Sequence, residues 1–373
     1  MNDMTGLFGG TYHNKRVLVT GHTGFKGSWL VLWLKSMGAR VCAIGLAPTT
    51  SPSHSALLGL SVDEALIDIR NESAVRYAIQ MFAPEVVFHM AAQALVRESY
   101  INPAETFDVN VMGLVNVLEA IRVTPSVRAV INVTTDKCYL QDTKHAAFTE
   151  SDALGGHDPY SASKACAEIV TASYRASFLA TPNNARPVAI ATARAGNVIG
   201  GGDWATDRLI PDLARAAAEQ RTVAIRSPNS VRPWQHVLEP LSGYLMLGQQ
   251  LLEKGAHASP FSSAWNFGPK PEGHLTVAQV VGEFGNSWSD MQTAIDSASH
   301  PHEAATLELD CTKATKQLGW QPVWNASTTI KRTADWYRVY YECGALRTSE
   351  DLNTYVRDAQ SQNASWTAMK LAA

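Results

Sequence analysis

Long apolar runs are missing from this sequence. Its densest apolar stretch, Trp29 to Leu34, falls far short of the ~18 residues that a membrane-crossing helix needs. The N-terminal segment has no apolar core of the kind a secretion signal carries, and a cytoplasmic protein is the expectation. Cysteine is scarce as well. Cys42, Cys138, Cys166, Cys311 and Cys343 lie far apart, with no C-x-x-C pair and no neighbouring histidine pattern. Their odd number and wide spacing speak against a disulfide framework and a zinc site and fit reduced thiols, so no metal is expected. An excess of one charge is also absent, with 31 basic against 34 acidic residues and a formal net charge of -3. No global field draws nucleic acid or an anionic membrane to such a chain, and any affinity for phosphate has to be built locally.

What the chain does have is length and one organising stretch. Its 373 residues can bury a large core and hold two intertwined units, a dinucleotide-binding domain and a smaller second one. Arg16 to Leu34, RVLVTGHTGFKGSWLVLWL, reads as a buried strand, a glycine-bearing turn and a first helix. Val17, Leu18 and Val19 form a short apolar run that stops at a turn signal, as a parallel strand does. Gly21, Gly24 and Gly27 then recur every three residues. Without side chains they allow a tight turn, close approach of backbone N–H groups to a pyrophosphate at the helix N-terminus, and tight packing of helix on strand. Thr23 and Phe25, between these glycines, belong to the same candidate cofactor site.

Arg40 to Leu46 reads as the second strand. Its end offers Ala47, Pro48, Thr49 and Thr50 in place of the acid that commonly holds an adenosine ribose, and no arginine waits there for a 2′-phosphate. Ala65 to Ile67 forms a third strand running into Asp68 and Ile69, where Asp68 is a candidate acceptor for an adenine amino group or else a solvated cap. A helix over 71–82 precedes a fourth strand, Val86 to Phe88. That strand runs into His89, read as a core histidine, and into Ala91, Ala92 and Gln93, where small residues let backbone approach a cofactor. A long helix over 104–122 carries Asn110. The fifth strand, Ala129 to Val133, ends in Thr134, Thr135, Asp136 and Lys137; a helix over 158–179 carries Tyr160 and Lys164; 188–192 is a sixth strand.

Parallel strands alternating with helices predict an α/β fold, a Rossmann-type doubly wound sheet whose ligand lies beyond the carboxyl ends of the strands. Residues 15–195 are the expected NAD-binding domain. Residues 196–345, rich in glycine and proline with short helices between loops, are mainly the expected substrate domain, with 236–268 returning to the first. Residues 346–373 are an expected tail whose last ~20, being polar, read as poorly ordered. Met1 to Lys15 carry little pattern, so the fold is expected to begin at Arg16.

Tyr160 and Lys164 stand four apart on one helix and share a face. A lysine cation beside a phenol favours phenolate, which predicts a tyrosine pKa below its ordinary ~10 and a role as general base. Arg208 and Arg232 are candidate bidentate forks for a diphosphate, with Asn197 and the backbone of Gly200 to Gly202 as uncharged donors. Trp234, His236 and the loop His300 to Ala304 are candidates for lining a nucleotide pocket.

VLVTGHTGFKGSWL, HMAAQALVR, TTDKCY, YSASK, RAGNVIGGGDWA, DRLIPD, RPWQHVLEPLSGY, WNFGP and HPHEA cover most of residues 16–325. With these segments the chain resembles the extended short-chain dehydrogenases/reductases that act on nucleotide sugars, and within them the CDP-glucose 4,6-dehydratases. The resemblance implies a Rossmann domain, a retained NAD, a homo-oligomer, and conversion of CDP-D-glucose to CDP-4-keto-6-deoxy-D-glucose in deoxysugar biosynthesis. Thr135 and Tyr160 would then handle the sugar 4-hydroxyl, Lys164 would hold the nicotinamide ribose and tune Tyr160, and Asp136 would act on the 6-hydroxyl. Arg97, Asn197, Arg208, Leu209, Arg232, His236 and His302 become the substrate-binding candidates. Lys137 stands where the dTDP-glucose branch has a glutamate as base for the C5 proton. A lysine of pKa ~10.4 is a poor base unless desolvation and nearby cations depress it, so Lys137 is a candidate base or a stabiliser of the enolate.

Three rival readings remain open. A sugar-nucleotide 4-epimerase shares Tyr160 and Lys164 but needs no acid at the 6-hydroxyl, so Asp136 separates the two. A dTDP-glucose 4,6-dehydratase would recognise thymine in place of cytosine, and that branch has a glutamate where this chain has Lys137. A dinucleotide-sensing binding protein has no use for Tyr160 with Lys164.

Overall fold

The computed structural model describes residues 4–141, 147–181, 184–255, 260–288, 291–296 and 307–368. Seven strands form one parallel sheet: β1 (Arg16–Thr20), β2 (Arg40–Gly45), β3 (Asp63–Leu66), β4 (Val86–His89), β5 (Ala129–Val133), β6 (Ala189–Ala195) and β7 (Ala264–Phe267). Their order is β7-β6-β5-β4-β1-β2-β3. It reverses between β1 and β4, which opens a crevice beyond the carboxyl ends of those strands. The main helices are α1 (Phe25–Ser36), α2 (Glu72–Phe82), α3 (Gly113–Arg122), α4 (Pro159–Tyr174), α5 (Leu209–Ala218), α6 (Leu238–Lys254), α7 (Val277–Ser287), α8 (Ala326–Cys343) and α9 (Thr348–Ser361).

Strand side chains alternate between two cores. Val17, Val19, Val86, Phe88 and Ile131 pack with Trp29, Trp33, Leu241 and Leu245, while Leu18, Val87, Val130 and Ile190 pack with Val75, Ile79, Leu114 and Leu118. Burial on both faces is why these strands read as unbroken apolar runs. Helix α1 is likewise apolar all round because it is covered on two sides: residues 27–34 are all buried. The sheet lies beneath it, and Tyr355 and Trp366 pack edge-on against Trp33 from the C-terminal segment.

Both chain ends differ from the sequence expectation. Leu7, Phe8 and Tyr12 are buried; Tyr12 Oη donates to the Leu245 carbonyl at 2.6 Å, and Phe8 stacks on Trp366 with ring centroids 5.1 Å apart. The core therefore begins before Arg16. At the other end, α9 buries Leu352, Tyr355, Val356 and Ala359, so the expected loose tail is folded at least through Trp366, which is 3 % exposed. Both segments look patternless by themselves because their few large apolar residues find partners in each other and in distant elements such as α1 and α6. Two smaller differences follow from local chemistry. The helix expected over 104–122 is broken into Pro103–Phe107, a π-helical turn at Asp108–Met112, and α3. Pro240, in the proline-rich stretch expected to hold only short helices between loops, sits in the first turn of the 17-residue α6, where its missing N–H costs nothing.

Candidate functional site

A cavity of about 930 Å³ opens at the crevice. Gly21, Thr23, Gly24, Phe25, Gly27, Asp68, Ile69, Ala91, Ala92 and Gln93 line one side; Thr135, Asp136, Lys137, Tyr160 and Lys164 the centre; Arg97, Asn197, Arg208, Leu209, Arg232 and Trp234 the rest. The glycines divide their work. Gly21 has φ +73°, and a Cβ on it would lie 2.7 Å from the Ala91 nitrogen; a Cβ on Gly27 would lie 2.2 Å from the Gly21 carbonyl oxygen. Both are demanded by packing, Gly21 against the chain leaving β4 and Gly27 within the turn itself. Gly24 is different: it is exposed, a Cβ there meets only the Gly21 oxygen at 3.3 Å, and it caps the 12-residue α1 with no side-chain hydrogen bond. The open space above Gly24 is a cradle that a side chain would fill, at a helix N-terminus whose dipole favours an anion. The turn thus fits a dinucleotide pyrophosphate. Gly27→Ala is expected to destabilise the protein by about 1–3 kcal/mol, the usual cost of overpacking. A denaturant midpoint equal to that of the parent would refute the tight turn.

Thr135 organises the centre. Its hydroxyl donates to Asp136 Oδ1 at 3.0 Å and accepts from the Lys137 backbone N–H at 3.3 Å, capping the short 3₁₀ turn that follows β5. Asp136 is 2 % exposed, yet its Oδ2 has no hydrogen-bond partner. Such an orphaned carboxyl oxygen is costly, and it marks a place where a polar group of a ligand belongs. Gly196 leaves the room: a Cβ there would stand 3.1 Å from that oxygen.

Helix α4 brings the other two. Asp158 caps it, accepting from the Ser161 N–H at 2.9 Å and from its hydroxyl at 2.6 Å, and Pro159 opens the first turn. Tyr160 and Lys164 then face the cavity one turn apart. The expected low tyrosine pKa is not found. Burial pushes Tyr160 up to about 12, against a hydrogen bond with Thr135 and the charge of Arg208, which pull it down. Burial also lowers Lys164 to about 8, with Glu168 opposing. The Lys164 ammonium donates to the Val133 carbonyl at 3.3 Å.

Several expected site residues serve elsewhere. Asn110 does not line the cavity. Its side chain accepts from the Gln93 N–H at 2.9 Å and donates to the Gln93 carbonyl and to Ser163 Oγ, so it positions the backbone beside the cavity. His236 is fully buried, with its ring against Trp29 and Trp324, and it too stands behind the site. His302 and the rest of the loop His300 to Ala304 lie outside the described residues. Asp68 lines the cavity but also takes two hydrogen bonds from the Arg70 guanidinium, and Arg208 is paired with Asp203 at 2.8 Å. His89 is the core histidine expected, bonded to Thr20 Oγ1 at 2.8 Å.

Other contributors were not singled out from the sequence. Lys26 lines the cavity. Glu168, one turn beyond Lys164, accepts from Thr134, Thr192 and Arg194 in a buried cluster under the site. Lys26 carried one sequence signal, a charge in the first turn of an otherwise apolar helix; Glu168 and Arg194 carried none. Among the described residues no three His, Cys, Asp or Glu side chains converge as metal ligands, and no helix is long and apolar enough to cross a membrane.

Several known proteins are similar to this chain. A sequence model described as GDP-mannose 4,6 dehydratase matches residues 18–333. The chain is 48% identical over 333 residues to the CDP-glucose 4,6-dehydratase of Salmonella typhimurium, covering 88% of this chain and 92% of that protein. It is 26% identical over 343 residues to the dTDP-glucose 4,6-dehydratase of Xanthomonas campestris, covering 86% and 92%. Among solved structures, a UDP-glucose-4-epimerase from Stenotrophomonas maltophila with bound NAD superposes with a TM-score of 0.75 at 22% identity, over 87% of this chain and 98% of that one. A dTDP-glucose 4,6-dehydratase from Streptomyces venezuelae with NAD bound reaches 0.70 at 24%, over 87% and 97%. These two similarities establish the Rossmann-like fold.

Proposed function

The chain belongs to the GDP-mannose 4,6 dehydratase family, and from that premise we propose that it converts CDP-D-glucose to CDP-4-keto-6-deoxy-D-glucose and water. The cytidine nucleotide rests on the Salmonella relative. The observation that carries the dehydration is the buried, unpartnered Oδ2 of Asp136 beside Thr135 and Tyr160 in one cavity. NAD, on the glycine turn, supplies a hydride acceptor for C4 and the same hydride for C6.

The side chains do the rest. Tyr160, hydrogen-bonded to Thr135, takes the proton of the 4-hydroxyl. Its phenol has to come down from about 12 for this, and the Thr135 hydrogen bond and the Arg208 cation are the groups that pull it that way. A ketone at C4 acidifies the C5 proton, with Lys137 as the candidate base or enolate stabiliser. Asp136 protonates the departing 6-hydroxyl, which leaves as water, and the base gives its proton back to C5 once C6 has taken the hydride. Arg97, Asn197, Arg208, Leu209 and Arg232 hold the nucleotide sugar. We further infer a cytoplasmic homodimer or higher homo-oligomer: Phe107, Met112 and Ile169 are exposed apolar side chains on neighbouring helical segments, and all five cysteines are unpaired.

Deuterium at C4 of CDP-glucose is expected at C6 of the product, undiluted by unlabelled NADH in solution and with no net use of NAD. Label kept at C4 with inverted configuration would indicate a 4-epimerase instead, and equal turnover of dTDP-glucose would remove the cytidine preference.

A further inference from the structure

Lys26 occupies a place where a lysine is expensive, and no step above uses it. A cation in the first turn of a helix opposes the helix dipole, and the eight residues that follow Lys26 in α1 are all buried. Its ammonium donates to Tyr244 Oη of α6 at 3.3 Å and lies 5.6 Å from the centre of that ring. The charged groups facing it come from three other parts of the fold: Lys164 from α4, Arg208 from the start of α5, and Asp136 from the end of β5. Burial, with Lys164 and Arg208, brings its pKa down to about 7, and Asp136 pulls the other way.

The position of these neighbours fixes which end of the cavity Lys26 serves. Asp68 and Ile69 follow β3, at the sheet edge, whereas Asp136 follows β5, four strand spacings away, roughly 19 Å. A dinucleotide with its pyrophosphate on the Gly24 turn and its adenine toward Asp68 has its nicotinamide toward Asp136, Lys164 and Lys26. We propose that Lys26 tunes the bound cofactor, its ammonium favouring the reduced over the oxidised nicotinamide. The inference rests on the reading that NAD binds here. When C4 gives up a hydride, two electrons and a proton reach the ring, which loses its positive charge, while the hydroxyl proton goes to Tyr160. A fixed cation nearby repels the charged oxidised ring and leaves the neutral reduced one untouched, which makes removal of hydride from C4 easier.

The test is a pair of fluorescence titrations, NAD and NADH separately, on the parent protein, Lys26→Met, Lys26→Gln and Lys26→Arg. They are run below pH 7, where the ammonium carries its charge. Both neutral variants are expected to shift the NADH-to-NAD affinity ratio toward NAD by roughly tenfold, and Lys26→Arg to keep the parent ratio. Lys26→Gln retains a donor for Tyr244, so agreement between it and Lys26→Met separates charge from packing. An unchanged ratio, or equal loss of both affinities, overturns the role of Lys26 while leaving NAD binding intact. A parent protein that neither retains NAD nor, once stripped of it, binds either dinucleotide overturns the cofactor reading, and this inference with it.

Discussion

Asp136→Asn is expected to lower the turnover of CDP-glucose by roughly 10²- to 10⁴-fold, the usual price of a lost general acid. Asparagine has the same shape and can still accept from the Thr135 hydroxyl that now bonds Oδ1 at 3.0 Å. What it lacks is an acidic proton at the position of Oδ2, the atom that faces the cavity without a partner. Tyr160, Thr135 and Lys164 are untouched, so oxidation at C4 continues while loss of water does not. The signature is a nicotinamide absorbance that grows to one equivalent per site and then stalls. A variant that dehydrates at the parent rate removes Asp136 from the mechanism; one that neither dehydrates nor builds up absorbance moves it to the oxidation step.

Glu168→Leu is expected to cost about 3–5 kcal/mol of stability, the range for stranding one partner of a buried ion pair. Glu168 Oε2 lies 2.8 Å from Arg194, and both side chains are 3 % exposed. The same carboxylate accepts from Thr134 at 2.5 Å and Thr192 at 2.6 Å, so three groups from β6 and the end of β5 lose their acceptor together. Replacing both members, Glu168→Leu with Arg194→Met, is expected to recover most of the loss, because no uncompensated charge then remains inside. Urea midpoints of the two single variants and the double variant decide this; losses that simply add would show that the two side chains act independently. Thr134 adjoins Thr135, and Glu168 lies one turn beyond Lys164. The pair therefore also braces the strand end and the helix that carry the reacting groups.

Strand and helix periodicity, the glycine turn, and the Y-x-x-x-K pair were legible from the chain alone, because each depends on backbone geometry repeated over a few residues. A short apolar run stopped by glycine makes a parallel strand in almost any context, and residues four apart on a helix share a face wherever the helix lies. The same local logic marks Asp136 as a residue delivered to the ends of the strands. It could not say which of its oxygens is satisfied, since that depends on Thr135 on one side and on the bare Gly196 on the other. Asn110 and His236 read as ligand contacts and turned out to be supports, because their partners Gln93, Ser163, Trp29 and Trp324 come from other elements. The N-terminal segment read as patternless and the last ~20 residues as poorly ordered for the same reason: Phe8 and Trp366 stack on each other across nearly the whole chain. Tyr160 shows the contrast most sharply. Its spacing from Lys164 belongs to the sequence, but its pKa belongs to the fold, because desolvation is set by everything packed around the phenol and here outweighs the nearby charges.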